Sequence, residues 1–380
     1  MSEGLVEQFA ALDDPRCLGK VAHRLVDVLV IAVCAVVAGA ETFEDVARYG
    51  RGKERWLRGF LELPHGVPAH DTFRRVLMLV DPDAFERAFL AWVRDAFPPA
   101  AAPGGDPGTP EQVAVDGKTV CHAFDRRRER SPLHLVSAYA TERGLVLAQC
   151  ASDDKGGEPG ALPTLLDGLD VQGCLLSLDA LSCRRDVARQ ITARGADYLL
   201  TLKANQGRAY AEVEAWFAGH AFERGADLRP CFDAFDDTHG RVVRRRVFAC
   251  PEVAACPTLR DWPGLRAVLA TETIRGVNGA GVVTAERRHY LSSSAAPPEV
   301  LAHAIRRHWA IENGEHWVLD VDFGEDRCRV RERTAARNFA VLRRIALDLL
   351  RADTSRKASL TGKRKLAAWD DAYMATLLSG

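Results

Sequence analysis

The sequence predicts a mixed α/β protein in which an all-helical segment precedes a sheet-bearing domain. Three observations carry that expectation. The first 97 residues show apolar residues at helical spacing. The stretch 98–110 is rich in Pro, Gly and Ala and reads as a linker. Beyond it, short apolar runs of strand length alternate with helical patterns. With 380 residues, 47% of them hydrophobic and 27% charged, the chain can bury a sizeable core in two or three domains.

The helical segment (1–97) begins with Leu25 to Ala38, an apolar helix stopped near Gly39. Thr42 is placed to cap the next helix, with Asp45 three residues on as its acidic counterpart. Prolines and glycine make 61–68 a loop. Asp71 opens a basic helix carrying Arg74 and Arg75, and a further helix is expected from Pro82 to Ala96. After the linker, Val113 to Asp116 reads as a strand ending in an acid. His134 to Tyr139 and Leu145 to Cys150 form a hairpin about Thr141-Glu142-Arg143-Gly144. A helix from Ala161 to Leu169 leads to Cys174 to Asp179, a second strand ending in an acid. A helix over Cys183 to Arg194 and a strand over Tyr198 to Leu202 follow. A β-rich block spans about 229–294, with strands at Val242 to Phe248, Leu265 to Ile274 and Val282 to Leu291. Pro297 introduces a long helical stretch to about Ala352, so that the sheet-bearing domain covers 111–352, and 353–380 reads as a basic tail.

The formal net charge is −1, so the total does not advertise nucleic acid. Arginines nevertheless bunch at 126–128, at 244–246 and from Arg327 to Arg344, either as solvated faces or as basic tracks along a polyanion. The ten cysteines never adopt Cys-x-x-Cys spacing and sit mostly in apolar segments, as buried thiols of a reducing compartment do. No secretory signal is expected, because Glu3 and Glu7 interrupt the N-terminus, and the apolar run from Val28 to Ala40 falls well short of the roughly 20 residues that cross a bilayer. A cytoplasmic protein is expected.

Two carboxylates at the ends of two apolar strands, Asp116 and Asp179, are the main chemical signal. On neighbouring strands they would converge at one sheet edge, where a pair of anions is costly unless a hard cation with oxygen preference joins them. Strand-end aspartates also serve simply as turn formers. The third signal is His308, Glu312 and His316, which share a face of a regular helix at i, i+4 and i+8. That spacing is not the zinc-peptidase pattern of two histidines four apart. The structural alternative makes Trp309 and Trp317 core anchors and pairs Glu312 with Arg307 or a histidine.

Several motifs, in order, make the sequence recognisable. They are Gly66-Val67-Pro68-Ala69-His70-Asp71-Thr72 with Arg75-Val76, then Val115-Asp116-Gly117-Lys118-Thr119, Leu135-Val136-Ser137-Ala138 and Asp179-Ala180. Ala196-Asp197-Tyr198, Leu202-Lys203-Ala204-Asn205-Gln206 and His239-Gly240-Arg241 follow, and the longest runs from His308 through Asp322-Phe323 and Glu325-Asp326-Arg327 to Arg331. Over nearly its whole length the chain resembles the ISAs-type insertion-sequence transposases, which include the H-repeat-associated proteins, within the DDE transposases.

That resemblance implies a ribonuclease H-like catalytic domain with a β-rich insertion before the third acid, behind a helical transposase-associated domain. It implies that Asp116, Asp179 and Glu312 are the catalytic, metal-holding acids, with Mg²⁺ or Mn²⁺, two ions, as cofactor. Asp320, Asp322 and Glu325 are the rivals of Glu312. The expected activity is metal-dependent phosphodiester cleavage and strand transfer at terminal inverted repeats, on a DNA-bound self-associated protein. A decayed or domesticated DNA-binding descendant is the alternative. Lys118, Lys203, Asn205, Gln206, Arg241, Arg307, His308 and His316 are the expected DNA contacts. The sequence departs from the family at Ile305, His308 and Leu319, where Tyr, Arg and Lys are usual. It departs again at Cys121, where Arg is usual, and at Gly156-Gly157-Glu158, where Ser-Asn-Glu is usual. Losing the guanidinium at Cys121 weakens a phosphate cradle and leaves metal ligation intact.

Overall fold

The structure is a computed structural model that describes residues 3–98, 110–123, 131–152, 157–222, 227–238, 241–277 and 283–379. Most of the expected linker, the arginines at 126–128 and His239-Gly240 lie outside the described residues. The first helices are α1 (Glu3–Ala10), α2 (Leu25–Val37), α3 (Phe43–Gly52), α4 (Glu54–Leu57), α5 (His70–Leu79) and α6 (Pro82–Ala96). Strands β1 (Gln112–Val120), β2 (Leu133–Ala140) and β3 (Leu145–Ser152) precede α7 (Glu158–Asp167), β4 (Leu175–Leu178), α8 (Arg185–Ala193) and β5 (Asp197–Leu202). Next come α9 (Gly207–Phe217), β6 (Phe232–Thr238), β7 (Arg241–Ala249), β8 (Ala267–Val277) and β9 (Val283–Ser292). The chain ends with α10 (Pro298–Arg307), α11 (Trp317–Val321), α12 (Arg333–Ala352), α13 (Leu360–Trp369) and α14 (Asp371–Ser379). No helix of the described residues is long and apolar enough to cross a membrane.

The chain divides into two compact units that cut across the linker. One comprises Met1–Ala101, Gly117–Leu169 and Ile311–Gly380, the other Ala102–Asp116 and Asp170–Ala310, so β1 belongs to both. In the first unit, α12 is the central element. It buries residues on every side and packs against α2, α5, α6 and β3. Helix α2 is apolar all round and almost wholly buried, as such a helix must be. The expected capping box at α3 forms, with Thr42 and Asp45 exchanging side-chain and backbone hydrogen bonds. The hairpin β2–β3 turns at Thr141 to Gly144, where Gly144 takes a positive φ of 72°. Here β2 lies between β3 and β1.

The segment expected as a basic tail, 353–380, forms α13 and α14. Arg364 is buried against Phe323, and its guanidinium donates to the carbonyls of Val36 (3.0 Å) and Val37 (3.4 Å). It adds to the capping of the last carbonyls of α2, where the Gly39 N–H already bonds Val36.

The second unit holds a sheet of order β1-β4-β5-β9-β8-β7-β6. Strands β1, β4 and β5 are parallel, and β5 meets β9 antiparallel (Leu199 opposite Ser292). From β6 to β9 the chain forms an antiparallel meander, the β-rich block expected before the third acid. Helix α10 packs Leu301, Ala302, Ala304 and Ile305 against Leu175, Leu199, Leu269 and Tyr290. Ile305 is therefore a core residue. Strand β6 and helix α9 had no counterpart in the sequence reading.

Candidate active site: two strand-end aspartates and a glutamate in a π turn

Strand β1 does not end at Asp116 as expected. It continues to Val120, but its parallel pairing with β4 stops at Val115 opposite Leu178. Asp116 and Asp179 are each the next residue, so the two half-buried carboxylates occupy equivalent places on neighbouring strands. Adjacent strands run roughly 4.8 Å apart, which brings these side chains to one sheet edge. Ser177, two residues before Asp179, anchors this edge. Its hydroxyl is bonded by the buried Gln112 amide (2.9 Å) and by His308 Nδ1 (3.0 Å), while Gln112 also donates to the carbonyl of Ala304 in α10 (2.8 Å).

Asp179 performs turn chemistry as well. Its Oδ1 accepts the backbone N–H groups of Leu181 (2.9 Å) and Ser182 (3.3 Å), which fixes the carboxylate's orientation. Asn205 and Gln206 brace the same loop from outside. Asn205 Nδ2 donates to the Ala180 carbonyl (2.7 Å) and Gln206 Nε2 to the Cys183 carbonyl (2.8 Å). Their amides, expected on DNA, hold the loop that follows Asp179.

Gly117 follows Asp116 because nothing larger fits there. A Cβ at this position would fall on Glu158 Oε1 and His134 Nε2. Those two atoms form a buried pair at 2.8 Å, and His134 Nδ1 meets Thr119 Oγ1 at 2.9 Å. Neither His134 nor Glu158 was assigned a role from sequence. Gly117→Ala is expected to lower stability by about 1–3 kcal/mol through overpacking, and to slow DNA cleavage at stabilising temperature because the displaced strand carries Asp116. Thermal melts beside cleavage rates check this, and a variant with wild-type values for both refutes it.

The expected single helix through Glu312 is broken. Helix α10 stops at Arg307, and Glu312–His316 is a π turn that leads into α11. The i, i+4, i+8 geometry of a regular helix therefore does not hold for His308, Glu312 and His316. Their surroundings differ accordingly: Glu312 is exposed, whereas His308 and His316 are half-buried. Burial pushes the His316 imidazole below its ordinary value. Trp309 and Trp317, considered as core anchors, are exposed.

The other acids of this region are committed elsewhere. Glu315 is fully buried and accepts from Arg344 Nε (3.0 Å) and Ser137 Oγ (2.8 Å). Glu325, also fully buried, pairs with Arg344 (3.2 Å), Arg343 (3.9 Å) and Lys118 (3.8 Å). Burial pushes the Glu325 carboxyl upward, but Arg344, Arg343 and Lys118 together hold it below the usual range. Lys118 Nζ donates to Asp320 (2.6 Å) and Asp326 (3.0 Å), and Thr361 donates to Asp322 (2.5 Å). Of Glu312 and its three rivals, Glu312 alone is exposed without a side-chain partner among the described residues.

Lys118 is thereby corrected as a phosphate contact. Its ammonium is buried, and although burial pushes its pKa down, Glu325, Asp320 and Asp326 outweigh that and raise it. Lys203 and Arg307 are exposed, whereas the Arg241 side chain lies outside the described residues. The arginines of β7 are matched across the sheet, Arg244 to Asp233 (2.6 Å), Arg245 to Asp236 (3.5 Å) and Arg246 to Glu272. Arg74 pairs with Asp71 on α5 (3.2 Å). All ten cysteines are free thiols; seven are buried, while Cys17 and Cys121 are exposed, so the expectation of buried thiols holds for most of them.

Open α/β sheets hold ligands beyond the carboxyl ends of parallel strands, and two carboxylates at such ends are oxygen donors suited to a hard cation. Comparison with known proteins makes that class specific. The family model described as "Transposase DDE domain" matches residues 107–349, and the one described as "DDE_Tnp_1-associated" matches residues 6–93. The H repeat-associated putative transposase YhhI of Escherichia coli K12 is 34% identical, over 99% of this chain and 98% of its own. The putative transposase YncI of Escherichia coli O157:H7 is 32% identical, over 99% and 95%. A piggyBac transposase synaptic complex with hairpin DNA is similar at a TM-score of 0.41 and 10% identity, over 100% of this chain and 80% of that one, too slight a likeness to argue from. The chain belongs to the DDE transposase family, DNA-binding enzymes that cleave DNA and transfer its strands with the help of divalent metal ions.

Proposed function

We propose that Asp116, Asp179 and Glu312 hold two Mg²⁺ or Mn²⁺ ions and that the enzyme cuts and joins DNA at the ends of an insertion sequence. The observation that carries this is the register of β1 on β4, which sets two carboxylates side by side. All three side chains offer only oxygen, the donor a hard cation prefers, and among the described residues no group of three or more His, Cys, Asp or Glu is already gathered as a metal site. Bound ions would supply activation of the attacking oxygen and neutralisation of the leaving one. The chain's own residues do the rest. The Leu181 and Ser182 amides orient Asp179, Gln112 and His308 fix the strand beneath it, and the π turn presents Glu312.

In cleavage, a water oxygen bonds to phosphorus, the P–O3′ bond breaks, and the 3′-oxygen leaves as a hydroxyl. In transfer, that hydroxyl attacks a target phosphodiester, so one P–O bond forms as another breaks and no nucleotide energy source is needed. Strand order β3-β2-β1-β4-β5, with β2 and β3 antiparallel and β1, β4 and β5 parallel, supports a ribonuclease H-like reading of 111–352. The β-rich insertion is about 229–294 and the helical transposase-associated domain 1–97. Lys203, Arg307 and Arg241 are the phosphate contacts on this reading. Two element ends require the protein to self-associate on DNA, in the cytoplasm at the nucleoid.

The test is a strand-transfer assay with the inverted repeats that flank the gene and Mg²⁺ or Mn²⁺. Joined products that depend on the repeat sequence are expected. DNA binding without joining would favour a non-cutting descendant, and general cutting regardless of sequence would favour a nuclease.

A further inference from the structure

The π turn that begins at Glu312 is held by a clamp that catalysis does not explain. An i→i+5 turn contains one residue more than a helical turn needs, so it leaves a carbonyl without its usual partner. In this turn Arg351, from the last turn of α12, donates Nη2 to the Gly314 carbonyl. The same guanidinium donates Nη1 to the Tyr139 hydroxyl (3.0 Å) and to the Gly144 carbonyl (2.5 Å). Tyr139 closes the other side: a Cβ at Gly314 would fall on its hydroxyl. Tyr139 is itself buried at the end of β2, and Gly144 closes the β2–β3 turn. A strand end, a tight turn and a helix end thus converge on one backbone carbonyl two residues after Glu312.

We propose that Arg351 is a positioning residue for Glu312, acting by holding the π turn in place of a regular helix. An α-helix advances about 100° per residue, so absorbing the extra residue would swing Glu312 by that angle relative to α11. The Gly314 carbonyl that takes the guanidinium lies in the widened turn, and a Cβ at Gly314 would fall on the Tyr139 hydroxyl. The inference rests on Glu312 being a metal ligand, and it names what aims that ligand.

The experiment measures Mn²⁺ affinity of the full-length protein from the electron paramagnetic resonance signal of free Mn²⁺, beside cleavage rate at limiting and saturating Mn²⁺. Arg351→Gln is expected to weaken Mn²⁺ binding by about tenfold, the usual cost of removing a residue that orients a ligand. Cleavage should fall most at limiting Mn²⁺ and recover largely at saturation, with Arg351→Lys intermediate. A role in stability alone would lower the melting temperature and leave the folded protein's Mn²⁺ affinity unchanged, which overturns the proposal. Glu312→Gln is run in parallel. If it too leaves Mn²⁺ affinity and cleavage untouched, the assignment of Glu312 has failed. If it abolishes cleavage while Arg351→Gln changes neither quantity, only the clamp has failed. Should Arg351→Gln not fold, Tyr139→Phe and Gly314→Ala decide, and wild-type Mn²⁺ affinity in both refutes the clamp.

Discussion

Asp116→Asn, Asp179→Asn and Glu312→Gln are each expected to slow cleavage of an element end by about 10³-fold or more, roughly 4 kcal/mol of transition-state stabilisation. The amides keep the volume of the acids and remove the charge that attracts a divalent cation. At Asp179 this choice matters, because the acid also closes its own loop. Asn retains an Oδ1 acceptor for the Leu181 and Ser182 amides, so the loop should survive, whereas Ala would confound lost charge with a lost turn. DNA binding by gel shift should change little. Raising Mn²⁺ is not expected to rescue any of the three, in contrast to Arg351→Gln. If Glu312→Gln cuts at the wild-type rate while the aspartate variants do not, the third ligand lies elsewhere. Asp320, Asp322 and Glu325 are poor substitutes, each already bonded to a neighbouring cation or hydroxyl.

The paired strand-end aspartates, proposed as metal ligands, were legible because period and punctuation agree there. Apolar runs of strand length end on acids, and the pairing of β1 with β4 depends on little else. The capping box at Thr42 was equally local and was read correctly. Failures came where distant partners decide. Lys118 sits two residues beyond the first acid, yet its carboxylates lie 202 and 208 positions along the chain, and no local rule announces them. The arginines at 244–246 read as a basic track because β6, which supplies their aspartates, contains Asp233, Asp236 and Asp237 and lacks an apolar signature. The spacing of His308, Glu312 and His316 was genuine, but applying it assumed an unbroken α-helix. The π turn depends on Arg351 and Tyr139, both remote in sequence, so the break could not be read from the helix itself.

Arg344→Met is expected to cost about 3–5 kcal/mol, because removing one member of a buried ion pair strands the others. Arg344 has no exposed surface and pairs with both Glu315 and Glu325, themselves wholly buried, so one substitution leaves two carboxylates short of charge. The pH dependence separates this mechanism from a simple packing defect. In the wild-type protein Glu325 is held below its ordinary pKa, so its contribution is complete above the unfolded value and disappears as pH falls through the folded one. Without Arg344, burial is left to dominate and should raise that pKa above the unfolded value. The variant then pays for an ionised buried carboxylate at neutral pH and is relieved as acid protonates it. The gap in melting temperature between wild type and variant should therefore be widest near pH 7–8 and narrow toward about pH 5. A gap that stays constant with pH would assign the loss to packing, and a gap corresponding to less than about 1 kcal/mol would show that Lys118 and Arg343 compensate on their own. Because Glu315 shares the π turn with Glu312, the same variant should also need more Mn²⁺ for cleavage, tying the stability of this buried network to the aim of the third acid.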